Sequence, residues 1–166
     1  MGSRRALVLL GFMGAGKSTV GRRAAELAGA PFVDLDLLIE RESGRSIADI
    51  FRTQGEAGFR ACEAARLRDS LREGSIVAVG GGTPMDDRSW RLMRERAVTV
   101  WLDAPLDELR RRADAATRPM LQGRSPAEVE DLYLVRARRY GEADHRLDGT
   151  GPVEDLAREV ARLWDG

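Results

Sequence analysis

The chain has 166 residues, of which 43% are apolar and 33% are charged. This length and composition favour a single globular domain with its own core over a disordered or membrane-embedded chain. Because 27 basic and 27 acidic side chains cancel, no net charge attracts nucleic acid or an anionic bilayer, and we expect neither as a partner.

Apolar runs alternate along the chain with helical patterns. Five runs are predicted as strands, the last of them more weakly: Ala6–Leu10, Pro31–Val33, Ile76–Val79, Val98–Leu102 and His145–Leu147. Six segments have helical patterns: residues 17–28, 55–72, 86–95, 105–113, 126–141 and 153–164. Continuous apolar strands indicate a parallel sheet covered on both faces, so we predict a three-layer α/β sandwich forming one domain over residues 1–166.

The first strand leads into a glycine-rich segment, Gly11-Phe12-Met13-Gly14-Ala15-Gly16-Lys17-Ser18-Thr19. The segment matches G-x-x-x-x-G-K-[ST] and lies between a strand and a helix, as a phosphate-binding P-loop does. Backbone N–H groups of such a loop surround phosphate oxygens, the lysine reaches the β- and γ-phosphates, and the serine hydroxyl ligates Mg²⁺. We therefore predict that ATP and Mg²⁺ bind here, through residues Gly14, Ala15, Gly16, Lys17, Ser18 and Thr19.

Three further features narrow the class of nucleotide-binding protein. Lys17 is the only lysine in the chain, which indicates that this position needs a compact ammonium rather than a planar guanidinium. The chain contains no asparagine, so it has no N-K-x-D motif for guanine recognition. The third strand ends in Gly80-Gly81-Gly82 instead of an acidic residue, which argues against larger ATPases. These features favour a small kinase.

Several side chains are candidates for the acceptor site. Asp34 and Asp36 lie two residues apart at a strand end and can share a face, although they can also cap a helix over 37–42. Arg60 and Arg136 carry guanidinium groups that match a carboxylate, although either can be a solvated surface arginine. The glycines 80–82 allow close backbone approach to a small ring, or form only a flexible turn.

The chain order of these motifs resembles that of shikimate kinase. The resemblance rests on six motifs: Gly11–Thr19, Val33-Asp34-Leu35-Asp36, Phe59-Arg60-x-x-Glu63, Val79-Gly80-Gly81-Gly82, Arg118-Pro119 and Arg136-x-x-x-Tyr140. It implies a P-loop kinase fold like that of nucleoside monophosphate kinases, with a five-stranded parallel sheet ordered 2-3-1-4-5. It also implies a lid over about 113–124, a substrate-binding subregion over about 34–63, and transfer of the ATP γ-phosphate to the 3-hydroxyl of shikimate.

The same resemblance implies residue roles. Asp36 is expected to contact the acceptor hydroxyls and Asp34 to bind Mg²⁺ through water. Shikimate is expected to contact Asp36, Arg60, Gly81, Gly82 and Arg136. Lys17, Asp36 and Arg118 are the expected catalytic residues, with Arg118 closing over the γ-phosphate. Arg111 is expected to stack on adenine, with residues 150–152 opposite, although Arg110–Arg112 can equally be a solvated helix end.

Some alternatives remain open from the residues alone. Phe51 and Phe59 can line the acceptor pocket or belong to the core. Arg139 stands where the family often has proline, so Arg138 competes with Arg136 for the carboxylate. A gluconate or nucleoside monophosphate kinase, or a nucleotide-binding regulator without catalysis, is the alternative function.

The single cysteine and the short N-terminal apolar run predict a cytoplasmic protein, and we expect a monomer.

Overall fold

A parallel sheet of five strands forms the centre of the computed structural model, which describes residues 4–113 and 123–166. Its strands are β1 (Ala6–Leu10), β2 (Phe32–Asp34), β3 (Ile76–Ala78), β4 (Ala97–Asp103) and β5 (His145–Asp148). Their order is β2-β3-β1-β4-β5, and Leu7 of β1 aligns with Ile76 on one side and Val98 on the other. The predicted fold class and strand order are confirmed.

Seven helices occur in the described ranges: α1 (Lys17–Ala28), α2 (Leu35–Ser43), α3 (Ile47–Ser70), α4 (Asp87–Arg96), α5 (Leu106–Ala113), α6 (Pro126–Tyr140) and α7 (Val153–Asp165). Six of them lie close to predicted segments. The sequence predicts α3 only from residue 55, whereas the structure adds a first segment from Ile47, which Ser46 caps. Gly55 separates the two segments with φ 69°, a left-handed value that glycine adopts without strain, so the chain bends there.

Local capping explains where three helices begin. Ser125 and Glu128 form a reciprocal capping box at α6, with Pro126 at the first helical position. Asp86 accepts a hydrogen bond from Ser89 N at the start of α4. Asp34 accepts one from Leu37 N at the start of α2, so the capping role considered for this residue is present.

The core lies between the central strands and the helices that cover them. β1 is buried along its whole length, and Leu7, Leu9 and Leu10 have no exposed surface. A strand buried on both faces reads as a continuous apolar run, which is why β1 was predicted with its observed bounds. Helix α1 follows β1 and packs against α7. None of the described helices combines the length and the apolar composition that a membrane-spanning segment requires.

All five strands are parallel, so their carboxyl ends meet at one edge of the sheet. The P-loop after β1, the aspartates at the end of β2 and just after it, and the glycines after β3 therefore lie side by side. The predicted lid over 113–124 lies almost entirely outside the described residues.

Candidate active site

The P-loop joins β1 to α1 and has the backbone that its glycines allow. Gly14 and Gly16 have φ values of 84° and 88°, which other residues rarely adopt, and Gly16 is the residue that precedes α1. Lys17 Nζ donates hydrogen bonds to the carbonyl oxygens of Gly11 at 2.6 Å and Phe12 at 3.3 Å. The ammonium thus lies over the loop, at the end of a helix whose N-terminus favours anions.

Asp34 links the P-loop to α2. Its Oδ2 accepts a hydrogen bond from the Ser18 hydroxyl, while its Oδ1 accepts the capping bond from Leu37 N at 3.1 Å. The two roles considered for Asp34, helix cap and site residue, are therefore compatible in this structure. A hydroxyl and a carboxylate beside a phosphate-binding loop are the hard oxygen donors that suit Mg²⁺, which keeps several waters when bound. The residues present fit the predicted ion.

Asp36 lies in the first turn of α2, two residues beyond Asp34. The pKa of its carboxyl is raised from 3.8 to about 6, first by burial and then by the negative charges of Glu63 and Asp34, while Lys17 acts against them. A partly buried carboxyl with a strongly raised pKa is a common property of catalytic groups.

Arg60 lies on α3 and is held by Glu63, one turn further along. Arg60 Nη1 donates to Glu63 Oε1 at 2.7 Å. Glu63 is only 1% exposed, and its Oε2 accepts a hydrogen bond from Thr83 Oγ1 at 2.8 Å. The i, i+3 spacing seen in the sequence therefore does place this pair in contact.

Arg136 lies on α6 and is buried, with 5% of its surface exposed, whereas Arg138 is exposed. The structure thus turns Arg136 inward and Arg138 toward solvent. Burial lowers the pKa of Arg136, partly offset by the Tyr140 hydroxyl, but a guanidinium stays charged. Its Nε has no hydrogen-bond partner among the described residues. A buried N–H without a partner is costly, so an acceptor from a ligand would stabilise it.

The three glycines after β3 bring these side chains together. A Cβ atom at Gly80 would lie 3.2 Å from Asp36 Oδ1, and one at Gly81 would lie 2.9 Å from Arg136 Nη1. A Cβ atom at Gly82 would clash with the guanidinium of Arg60. Each glycine therefore faces one charged group, and a side chain at Gly81 or Gly82 would displace the guanidinium that lies against it. The Tyr140 hydroxyl also donates to the Gly81 carbonyl and fixes the loop to α6.

Phe51 and Phe59 form an aromatic pair next to Arg60. Their ring centroids are 4.6 Å apart, and the Arg60 guanidinium carbon lies 5.3 Å from the Phe59 ring centroid. Phe59 is buried and belongs to the core, whereas Phe51 is half-buried. The pair thus joins the core to the side of the site that holds Arg60.

Comparison with known proteins identifies the family. The family model for shikimate kinase matches residues 13–163. The chain belongs to the shikimate kinase family. A shikimate kinase from Rhizobium meliloti is 44% identical over 144 residues, covering 85% of this chain and 75% of the relative. One from Persephonella marina is 38% identical, covering 96% of this chain and 99% of the relative. A solved shikimate kinase from Acinetobacter baumannii, in complex with shikimate, has a TM-score of 0.88 at 36% identity, covering 96% of this chain and 92% of its own.

Membership of the shikimate kinase family confirms the predicted enzyme class, a phosphotransferase with an alcohol group as acceptor. A gluconokinase from Sinorhizobium meliloti 1021 has a TM-score of 0.57 at 21% identity, which shows a shared fold alone. The fold is therefore common to both kinds of kinase, whereas the sequence relationship is to the shikimate kinases.

Two neighbouring arginines near the P-loop, Arg111 and Arg112, have different contacts. The side chain of Arg111 is 76% exposed and pairs with Glu108. Arg112 also bonds Glu108, and it donates to the carbonyl oxygens of Gly149 at 3.0 Å and of Gly14, in the P-loop, at 3.4 Å. Arg112 was not among the predicted site residues of this shikimate kinase homologue, because a run of three arginines gives no signal as to which one turns inward.

A cavity of about 470 Å³ is lined by Asp103, Pro105, Arg146, Asp148 and Thr150. It is at the carboxyl ends of β4 and β5, where open α/β sheets bind nucleotides. Thr150, which was predicted to stand opposite the adenine-stacking residue, is part of its wall. Arg118 lies outside the described residues, so its predicted position over the γ-phosphate stays a prediction.

Proposed function

We propose that this protein transfers the γ-phosphate of ATP to the 3-hydroxyl of shikimate, giving shikimate 3-phosphate and ADP, as a step in aromatic amino-acid biosynthesis. One observation carries the proposal. Asp36, Arg60 and Arg136 all lie against the Gly80–Gly82 loop, beside the P-loop. The related shikimate kinase from Acinetobacter baumannii was solved with shikimate bound, which supports the choice of acceptor.

The two arginines suit the carboxylate of shikimate. A guanidinium presents donors in a planar fork that matches a carboxylate, and both groups face the same glycine loop. Arg136 Nε, which has no partner among the described residues, would gain an acceptor on binding. Close backbone approach at Gly81 and Gly82 would then seat the ring between the arginines and the P-loop, which positions the hydroxyl for transfer.

Asp36 suits the reacting hydroxyl. Its carboxylate would accept a hydrogen bond from the 3-hydroxyl and take up its proton as the new oxygen–phosphorus bond forms and ADP leaves. A pKa of about 6 leaves Asp36 mostly ionised at neutral pH while making it a stronger base than an exposed aspartate. Phosphoryl transfer asks little of a base, so orienting the hydroxyl is the larger part of this role.

The remaining proposed roles lie on the nucleotide side. Ser18 would ligate Mg²⁺ directly and Asp34 would hold it through water; the bound ion neutralises charge on the phosphate oxygens. Lys17 would contact the β- and γ-phosphates, and Gly14–Thr19 would surround them. Arg111 would stack on adenine, and Arg118, in a lid over about 113–124, would stabilise charge on the γ-phosphate.

We also propose that residues 1–166 act as one domain with a substrate-binding subregion over about 34–63, and that the protein works as a cytoplasmic monomer. The continuous sheet and the single core support the one-domain assignment. Analytical ultracentrifugation at micromolar concentration would test the oligomeric state, and a dimeric mass would contradict the monomer.

The test is ADP release from ATP and Mg²⁺ with shikimate, gluconate, AMP or CMP as acceptor. We expect turnover with shikimate alone. Turnover with gluconate and none with shikimate would favour the gluconate alternative, and ATP binding without turnover on any acceptor would favour a regulator. Arg136→Met should raise the KM for shikimate, whereas Arg138→Met, an exposed arginine on the same helix, should leave it unchanged.

A further inference from the structure

Thr83 is a buried threonine that the proposed chemistry does not use. It begins a short 3-10 turn, Thr83–Met85, directly after Gly82, and none of its surface is exposed. Its backbone N–H donates to the Gly80 carbonyl at 3.1 Å, and its hydroxyl donates to Glu63 Oε2 at 2.8 Å. The side chain therefore ties the glycine loop to α3.

Glu63 divides its two oxygens between two partners. Oε2 accepts from Thr83, and Oε1 accepts from Arg60 Nη1 at 2.7 Å. A buried carboxylate needs hydrogen bonds on its oxygens, and a bond at each oxygen fixes the rotation of the group. Arg60 also pairs with Glu56, which is 3.8 Å away and 73% exposed and so gives little orientation, and it interacts electrostatically with Asp86.

These contacts form a closed ring. Arg60 lies against Gly82, Gly82 is followed by Thr83, Thr83 bonds Glu63, and Glu63 bonds Arg60. Any rotation of the Glu63 carboxylate would move the Arg60 guanidinium relative to the glycine loop. Because that guanidinium lies directly against Gly82, a small shift of either group changes their contact.

We propose that Thr83 is a positioning residue for the acceptor: its hydroxyl fixes Glu63, and through Glu63 it holds Arg60 in the orientation that receives the acceptor's carboxylate. This inference rests on the proposed function, since it assigns Thr83 to the site that binds shikimate. It predicts a defect in acceptor binding and little change on the ATP side, where neither Thr83 nor Glu63 has a described contact with the P-loop.

The test uses two pairs of variants that differ mainly in the hydroxyl: Thr83 against Thr83→Val, and Thr83→Ser against Thr83→Ala. In both pairs we expect loss of the hydroxyl to raise the KM for shikimate about tenfold, the factor expected when a charged group loses one hydrogen bond. The KM for ATP should change less than about twofold, because the P-loop contacts are untouched. The serine and alanine pair fills the same space at Cβ, so it stays informative if valine prevents folding.

Thr99→Val is the matched control. Thr99 is also fully buried, and its hydroxyl donates to Asp144 Oδ2 at 2.8 Å, but this bond joins β4 to the segment before β5. The Thr99→Val substitution should lower the melting temperature and leave the KM values for shikimate and ATP unchanged. If Thr99→Val raises the KM for shikimate as Thr83→Val does, the effect is general loosening and the inference fails. Equal KM values in each Thr83 pair, or an equal rise for ATP and shikimate, would also overturn it.

Wild-type turnover separates the two proposals. If the wild-type protein releases ADP with shikimate but the Thr83 pairs do not differ, the role of Thr83 is refuted and the proposed function stands. If the wild-type protein shows no turnover with shikimate, the proposed function itself has failed, and the role of Thr83 fails with it.

Discussion

Replacing Asp36 with asparagine should stabilise the free protein while removing its activity. In the folded protein, burial and the neighbouring carboxylates raise the pKa of Asp36 from 3.8 to about 6. A charged Asp36 is therefore unfavourable in the folded state. The rise corresponds to about 3 kcal/mol, since one pKa unit is about 1.4 kcal/mol. Asparagine carries no charge, but its amide needs partners of its own, so we expect a gain of about 1–3 kcal/mol.

The sign of the effect fixes its pH dependence. A carboxyl with a raised pKa in the folded state lowers the free energy of unfolding by its full amount when the pH is above about 6. As the pH falls from about 6 toward 3.8, the folded protein takes up the proton and this destabilisation shrinks, until the unfolded chain is protonated too. The stabilising effect of Asp36→Asn should thus be largest near pH 8 and fall to about half at pH 5.

Urea denaturation of the metal-free and nucleotide-free protein at both pH values measures this difference. Asp131→Asn, at an exposed aspartate on α6, is the matched control and should change stability little at either pH. Lower stability of Asp36→Asn at pH 8, or a difference that does not shrink at pH 5, would refute the reasoning. Activity with shikimate should be largely lost in Asp36→Asn at every pH, because an amide orients the hydroxyl through a weaker hydrogen bond than a carboxylate and cannot take up its proton.

Three further substitutions test the rest of the site. Lys17→Arg should lower kcat about a hundredfold or more in steady-state assays, since a planar guanidinium cannot replace the ammonium at the phosphates; near-normal kcat would make that geometry dispensable. Gly81→Ala should lower kcat/KM for shikimate at least about tenfold, because the new Cβ would lie 2.9 Å from Arg136 Nη1. Gly141→Ala, with its Cβ 3.4 Å from the nearest atom and φ −62°, should be close to wild type; equal losses would refute the steric argument. Arg111→Ala should raise the KM for ATP several-fold if this residue stacks on adenine, and an unchanged KM would place the contact elsewhere.

The parts of the fold that were predicted from sequence are those with strong local signals. β1 is an unbroken apolar run buried on both faces, and α6 begins with a capping box and proline, so both have nearly the expected bounds. The first segment of α3 was missed because it is short, and Gly55 interrupts the helical pattern at the point where the chain bends. A local pattern does not indicate whether a glycine ends a helix or joins two.

The site residues also differ in how far local sequence predicts them. The P-loop was predicted from its own residues because nine consecutive positions carry the chemistry and the neighbouring strand and helix supply the context. The acceptor site was predicted only through the family resemblance, because Asp36, Arg60 and Arg136 come from three different helices and no local pattern links them. Arg136 and Arg138 cannot be told apart by composition; they differ because one turns inward on α6.

The role of a residue that acts through another side chain is even harder to predict from the sequence. Thr83 is one threonine after three glycines, and it gains meaning only once Glu63, twenty positions earlier, is seen buried beside it. The glycines explain the arrangement: with no side chains of their own, they leave Asp36, Arg60 and Arg136 to define the surface of the site. The positions of those three groups are then set by the helices behind them, so the specificity of the site depends on contacts such as the one from Thr83 to Glu63.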